Sequence, residues 1–403
     1  MGMIINIDEA LKLHSTYNIL REPLHQMMQD QQEAWERDNP IDLIFNRGTL
    51  TGFQETYSSS IGFAHAFSET SDYAVGPIFN TAEGFSATYR SRTFQGGFII
   101  TQQTLEDRQV GKVKDDASAF VKRWHGDIVE YAIKAISGGF GDATQGIFEG
   151  GDGKKTHMKL ESADTVDGKL DNPVKNPLFS KNHKTVDRGD GTEVHTQSNI
   201  FKAVDADGKP IVIGGSDPGQ IAKLADFINQ IITEMENYRD DNGKRAGVLG
   251  QKTIVTGNDA RLRAAIEAAL GTEMLCGMPN TAYKRATLAT NPYFNDIPMT
   301  AGGAGFFIVD KAYNAANHGP EFTERIPFTL DAIETKRPKG ITYDGRQRFD
   351  INTASWRGIA YGLLATPGAD ATKWDHTDKF TPVTVISTLV KPVTVVNADE
   401  FNA

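Results

Sequence analysis

Ser180, Lys181 and His183 stand close together in the stretch NPLFSKNHKTV, residues 176–186. A hydroxyl beside an imidazole is the pairing a hydrolase uses, the imidazole taking the proton as the oxygen attacks. Such a serine usually sits on a strand-to-helix elbow of the G-x-S-x-G kind, where glycines relieve the crowding. Here Phe179 precedes the serine, no helix pattern comes after it, and His157 and His195 supply no identifiable third member. Triad partners also come from separate elements, not from one turn. The other reading is structural: Leu178 and Phe179 anchor a loop or hairpin, and Ser180 and His183 bond to its backbone.

The remaining chemistry-bearing residues make weaker patterns. GGDGKK (150–155), DRGDG (187–191) and DADGK (205–209) resemble fragments of calcium loops. None has the spaced ligands and terminal glutamate of such a loop, and Asp-Gly pairs serve turns equally well. The glycines of TAGGAGF (300–306) precede a strand pattern, whereas a phosphate loop needs a helix N-terminus after it. The carboxylate pairs Glu106/Asp107, Asp115/Asp116 and Asp240/Asp241 fall in helical or turn contexts that read as solvated faces. His125, beside Trp124 in a helical pattern, reads as a surface or capping residue. Cys276 is the single cysteine. It can build neither a disulfide nor a thiolate metal cage, and it reads as a small buried hydrophobe. We expect no catalytic residue, no metal and no cofactor.

The chain has 403 residues, enough for two or three packed units. A net charge of −10 argues against nucleic acid gripped through a broad basic face, because such binding displaces counterions with clustered Lys and Arg. Loose contact on one surface remains open. No apolar run approaches the ~18–20 residues that span a bilayer. The first residues lack the basic and apolar regions of a signal peptide. A cytoplasmic protein away from membranes is therefore expected.

The elements that must carry these residues can be read from periodicity. Residues 7–38 are helix formers with weak amphipathicity and read as an arm, stopped where Pro40 biases Asn39 away from helix. FSATYRSRTF (85–94) alternates strictly: Phe85, Ala87, Tyr89, Ser91 and Thr93 face one way, and Ser86, Thr88, Arg90, Arg92 and Phe94 the other. Neither face is apolar enough for a core, and a lone two-stranded ribbon is marginal in water. With no intrachain surface evident for it, a neighbouring subunit is the expected support. Residues 104–138 form the clearest element. Thr104 and Asp107 make a capping-box pattern, and apolar residues recur at steps of three and four from Val113 to Ile136. Residues 140–220 read as short strands and long loops. From 221 the pattern turns α/β: a helix over 221–240, a strand over 252–258, and a helix over 259–271 capped by Asn258 or Asp259. Strands are expected at 305–310, 326–333, 381–390 and 392–397, with a strand, turn and strand over 348–366.

That order of elements resembles the major capsid proteins of tailed bacteriophages, the Hong Kong 97-like fold. The segment from GGFIITQQTLEDRQVGKV to EYAIKAI is similar to the family's return from its E-loop into the spine helix. NPLFSKNHK together with SNIF (198–201) resembles the Leu-Phe-Ser-x-x-His and later Ser-Asn pattern of capsid proteins related to the Mu-like major head subunit. KTIVTGNDARLRAAIEAALG and ASWRGIAYGL (354–363) look like its axial strand and helix and its late strand. The patches spread over residues 50–365.

The resemblance implies an α+β chain. Residues 1–50 would be an N-terminal arm, 51–103 the E-loop region, and 104–220 a P-domain with its spine helix at 104–138. Residues 221–366 would form an A-domain together with returning P-domain strands at about 325–355, and 367–403 a β-rich extension outside the simple family pattern. It implies a shell protein without enzymatic activity, forming hexamers and pentamers of an icosahedral virion head around double-stranded DNA, and assembled in the bacterial cytoplasm. A short segment before the E-loop, starting at Met1, implies a separate scaffolding protein. A portal and decoration proteins are the further implied partners. No residue matches the crosslinking lysine and asparagine of some relatives. On this reading Phe85, Tyr89, Arg90, Arg92, Phe94, Glu106, Asp107, Asp115 and Asp116 lie at contacts between subunits, Arg90 and Arg92 pairing with a neighbour's Glu106, Asp107, Asp115 or Asp116, and Leu178, Phe179, Ser180 and His183 shape a loop. A related phage-like structural or encapsulating-compartment subunit, and a hydrolase using Ser180 and His183, are the alternatives.

Overall fold

Pro40 divides the first helix from everything after it. Helix α1 (Thr16–Arg37) ends just before Asn39, whose side-chain oxygen accepts the Ile41 N–H and caps a 3-10 turn, Pro40–Leu43. The structure, a computed structural model, describes residues 16–37, 39–60, 83–101, 103, 110–140, 148–149, 155–156, 159–166, 169–184, 195–212, 218–240, 243–297, 303–336, 339–365 and 380–385. Strands β1 (Asn46–Thr49), β2 (Gln54–Ser60), β3 (Glu83–Arg90) and β4 (Arg92–Thr101) lead to the long helix α2 (Val110–Gly138). Strands β5 (Lys159–Val166), β6 (Lys169–Pro177) and β7 (Ile200–Val204) come next, then α3 (Pro218–Asn237), β8 (Lys252–Thr256) and α4 (Ala260–Gly271). The chain continues through β9 (Ala286–Thr290), β10 (Gly303–Asp310), the short α5 (Lys311–Ala316), β11 (Glu321–Lys336), β12 (Lys339–Asn352), β13 (Ile359–Ala365) and β14 (Thr381–Thr384). The mixed content makes this an α+β chain. The Thr104–Asp107 capping pattern and the strand at 392–397 lie outside the described residues.

Six strands form a mixed sheet in the order β9-β8-β10-β13-β7-β14. Every residue of β13 is buried, as is β10 from Ala304 on, because both faces of this sheet are covered. On one face lies α3, whose buried residues Leu224, Phe227, Ile228, Ile231 and Met235 fall at helical spacing, with α4 beside it. Gly362 leaves room for the Phe306 ring and for α3: a Cβ there would meet the Phe306 ring at 2.7 Å and Ile231 of α3 at 3.1 Å. On the other face, Phe307 and Tyr361 pack against Phe179, Phe140 and Phe294. The C-terminal half of α2 (Ile128, Val129, Ala132, Ile133, Ile136) joins the same core. Asp259 caps α4 by accepting the Arg261 and Leu262 N–H groups.

The N-terminal half of α2 covers a second sheet, ordered β1-β11-β12-β4. Ala117, Val121 and Phe120 pack there on Phe98, Phe328, Leu330 and Tyr343. Trp124 donates to the Gln347 amide oxygen at 3.0 Å, and Gln347 donates to Glu324 at 2.7 Å. Helix α1 lies along α2. His125 is stacked on Trp35 (4.1 Å between centroids, 8°), bonded to the Gln32 side chain and buried, so it is a packing residue and not the surface residue its sequence context suggests.

The alternating stretch 85–94 is not one ribbon. It breaks at buried Ser91, whose N–H donates to the Phe53 carbonyl at 2.9 Å. Strand β4 pairs with β12 along its whole length, while β3 pairs with β2 in a separate sheet ordered β2-β3-β5-β6. Ala87 and Tyr89 are buried against Leu50 and Ala354. Both halves therefore have partners in their own chain, and the expectation of an unsupported ribbon is overturned. Two side chains of β12 clasp β3 across the break: Asp350 accepts the Arg90 N–H at 2.7 Å, and Asn352 donates to the Thr88 carbonyl at 3.0 Å. Cys276 is exposed at φ 51 in the turn before Gly277, not buried as its type suggests.

Candidate functional site

The chain leaves β6 at Pro177 and enters the core at once. Leu178 and Phe179 are buried, the Phe179 N–H donates to Gly139 at 2.8 Å, and its ring stacks on Phe140 at 4.4 Å. Gly139 is required at this approach, since a Cβ would sit 2.9 Å from the Ile136 carbonyl and 3.1 Å from Leu178.

Asn199 organises the turn beyond Phe179. Its side-chain oxygen accepts the Ser180 N–H at 2.9 Å and faces His183 Nε2 at 3.1 Å. Its amide nitrogen donates to the Leu178 carbonyl at 2.8 Å and the Ile359 carbonyl at 3.3 Å. Its backbone N–H donates to Ser180 and its carbonyl accepts from Tyr361. One buried side chain thus ties the end of β6 to the start of β7 and of β13. In the sequence, Ser198 and Asn199 stand out only through a resemblance; nothing local marks Asn199 as the hub.

His183 is fully buried and stacked on Trp356 at 4.1 Å and 5°. Facing an oxygen acceptor, Nε2 carries its proton. Burial, opposed by the Asn199 bond, lowers the imidazole pKa to about 3. A general base works best with a pKa near the operating pH. The Ser180 hydroxyl accepts the Asn182 N–H at 3.1 Å, and no bond joins Ser180 to His183 among the described residues. An open cleft of about 890 Å³ begins at Lys181 and runs past His195, Gln197, Tyr238 and Arg239 to Thr381–Thr384; neither Ser180 nor His183 lines it. The arrangement is suited to holding three strands together and not to activating a nucleophile.

The residues read as contacts with a neighbour are scattered. Arg92 meets Asp350 of its own chain at 3.7 Å. Burial raises the Asp350 pKa to about 6 against the opposing pull of the Arg90 N–H and Arg92. Tyr89 is buried, and Phe94 stacks on Phe349 at 4.4 Å. The Arg90 guanidinium lies over Phe53 at 5.1 Å on the surface, and Asp115 and Asp116 are exposed on α2. Phe85 lies in β3, and Glu106 and Asp107 fall outside the described residues. Arg90, Asp115 and Asp116 therefore form the part of that set open to a partner.

No family model and no curated protein matches the chain. Its backbone is similar to several solved structures. One is a virus-like particle from Pyrococcus furiosus, at 8% identity and TM-score 0.40, covering 84% of this chain and 97% of that chain. Another is the mature capsid of bacteriophage PhiM1, at 9% identity and TM-score 0.42, covering 81% and 85%. A third is Mycobacterium phage Patience, at 13% identity and TM-score 0.43, covering 87% and 88%. Likeness at this level does not by itself assign a function to the chain.

Proposed function

We infer that the chain is a major capsid protein that self-assembles, as hexamers and pentamers, into an icosahedral shell around a phage genome. The observation that carries this reading is one helix spanning two cores. The 29 residues of α2, ~44 Å of helix, cover the four-stranded sheet with one half and the six-stranded sheet with the other. The segment carrying the Leu-Phe-Ser-x-x-His pattern comes after that helix and is bound to the Ser-Asn pair by Asn199. In this reading α2 is the spine helix and β1, β4, β11 and β12 form the P-domain sheet. The six-stranded unit with α3 and α4 is the A-domain, α1 belongs to the arm, and β2 with β3 is the base of the E-loop.

Such a subunit works through surfaces and needs no pocket. A net charge of −10 suits a wall that does not hold packaged DNA tightly. Scaffolding, portal and decoration proteins are the partners of this reading, and the virion head is its place, built in the host cytoplasm. Electron microscopy of the purified protein, with and without a co-expressed scaffolding protein, tests it. Closed shells tens of nanometres across are expected; a persistent monomer overturns it. Particles that capture an enzyme through a docking peptide would indicate an encapsulating compartment instead.

A further inference from the structure

The outer face of the four-stranded sheet carries charges without ion-pair partners among the described residues. Tyr343, Gly345 and Gln347 of β12 are buried beneath α2, so Asp344, Arg346 and Arg348 take the opposite face. Across the strands, Asp344 sits opposite Asp331 of β11, and Arg346 sits between Thr329 of β11 and Gln95 of β4. Asp331 and Arg346 are exposed, and Asp344 and Arg348 are half-exposed. None of the four forms an ion pair among the described residues. Like charges directly opposite on paired strands are unfavourable by themselves. The face thus presents Asp331 and Asp344 side by side across two strands, with Arg346 ~7 Å and Arg348 ~14 Å further along β12.

We propose that this face is an interface between two copies of the chain, packed about a two-fold axis that lies across the strands between Asp344 and Arg346. An axis in that direction reverses the order along β12, so Asp344 of each copy meets Arg346 of the other, with Asp331 beside that pair. An axis along the strands would set like charge on like. The contact is isologous: one patch complements itself. Neighbouring Gly97 and Thr329 are small, which lets a second sheet approach. The proposal rests on the shell reading above, because it names one of the surfaces through which such a shell closes.

Two variants test it. D331R/D344R makes the face wholly basic, and R346D/R348D makes it wholly acidic. Each alone should lose assembled particles at least tenfold in sedimentation velocity and electron microscopy, since juxtaposed like charge opposes docking. Mixing the two should restore assembly, as one face now complements the other. R346D alone, at an exposed position, should give an intermediate loss, and circular dichroism establishes that each variant is folded. Wild-type-like assembly of either double variant overturns the proposal, and so does a folded mixture that fails to assemble. A wild-type chain that stays monomeric overturns the shell reading itself, which is a separate outcome.

Discussion

The two sheets that α2 joins treat their polar groups in opposite ways. In the six-stranded unit, Lys252 is buried and all its donors are used: Asp310 at 2.8 Å, the Gly250 carbonyl at 2.8 Å and the Val248 carbonyl at 2.9 Å. Asp310 also accepts the Tyr313 N–H and so caps α5. Asn199 is likewise saturated. In the four-stranded unit, Asp331, Asp344, Arg346 and Arg348 face outward without ion-pair partners among the described residues. Strand β1 pairs with β11 only from Glu321 to Glu324, which leaves the outer edge beyond it without a strand partner among the described residues. In the first unit Lys252, Asp310 and Asn199 find their partners within one chain. The second presents charges unpaired among the described residues to its surroundings, as the proposed shell subunit requires.

Substitutions should reveal this difference, most strongly in the closed unit. Lys252→Met leaves Asp310 buried and unpaired, and should cost about 3–5 kcal/mol in urea denaturation. A loss under about 1 kcal/mol would show that the unit tolerates an open charge. Asn199→Ala removes the hub and orphans buried groups around it; a loss of roughly 2–3 kcal/mol is expected by the same measurement. Ser180→Ala, which removes only the bond to the Asn182 N–H, should cost about 1 kcal/mol or less.

The pH dependence splits by the kind of buried group, imidazole or carboxyl. Burial lowers His183 to about 3 and His125 to about 4 from 6.5. Between those values and 6.5 the unfolded chain binds more protons, so stability is full above pH 6.5 and falls as pH drops toward 4. Asp350 has the opposite sign. Its folded pKa is raised to about 6 from 3.8, so it favours the folded state at low pH and that contribution is lost as pH rises through about 4 to 6. Stability of Asp350→Asn and His125→Gln measured from about pH 4 to 8 should change slope in opposite directions. The smallest effect belongs to the open face: Asp331→Asn should alter monomer stability by only about 0.5 kcal/mol, and upward, because it relieves the Asp344 contact. A large loss there would mean that the outer face is already engaged within the chain.

Local pattern made part of this legible. The stripe of α2, the core face of α3, the Asp259 cap of α4 and the apolar strands at β8 and β10 can all be read from periodicity and capping within a few residues. The break at Ser91 cannot, because the residues that split the alternating stretch are Asp350 and Asn352, some 260 positions later. The same distance hid the Arg92 partner. Ser180 and His183 read as structural residues on elbow chemistry alone, yet the Asn199 that holds them is a short polar residue in a turn-rich stretch, where no periodicity marks it. His125 misled for a related reason: its cover, Trp35, comes from another helix.

The single-residue step at Ser91 also has a mechanical meaning. Strands β3 and β4 are covalently continuous yet belong to different sheets, so the paired β2 and β3 form a lever joined to β4 through one residue. A load on the pair reaches the body of the chain through the Ser91 backbone, through the clasp that Asp350 and Asn352 make on Arg90 and Thr88, and through Ala87 and Tyr89 buried against Leu50 and Ala354. Those attachments share the load side by side, so the lever holds its angle until all of them yield.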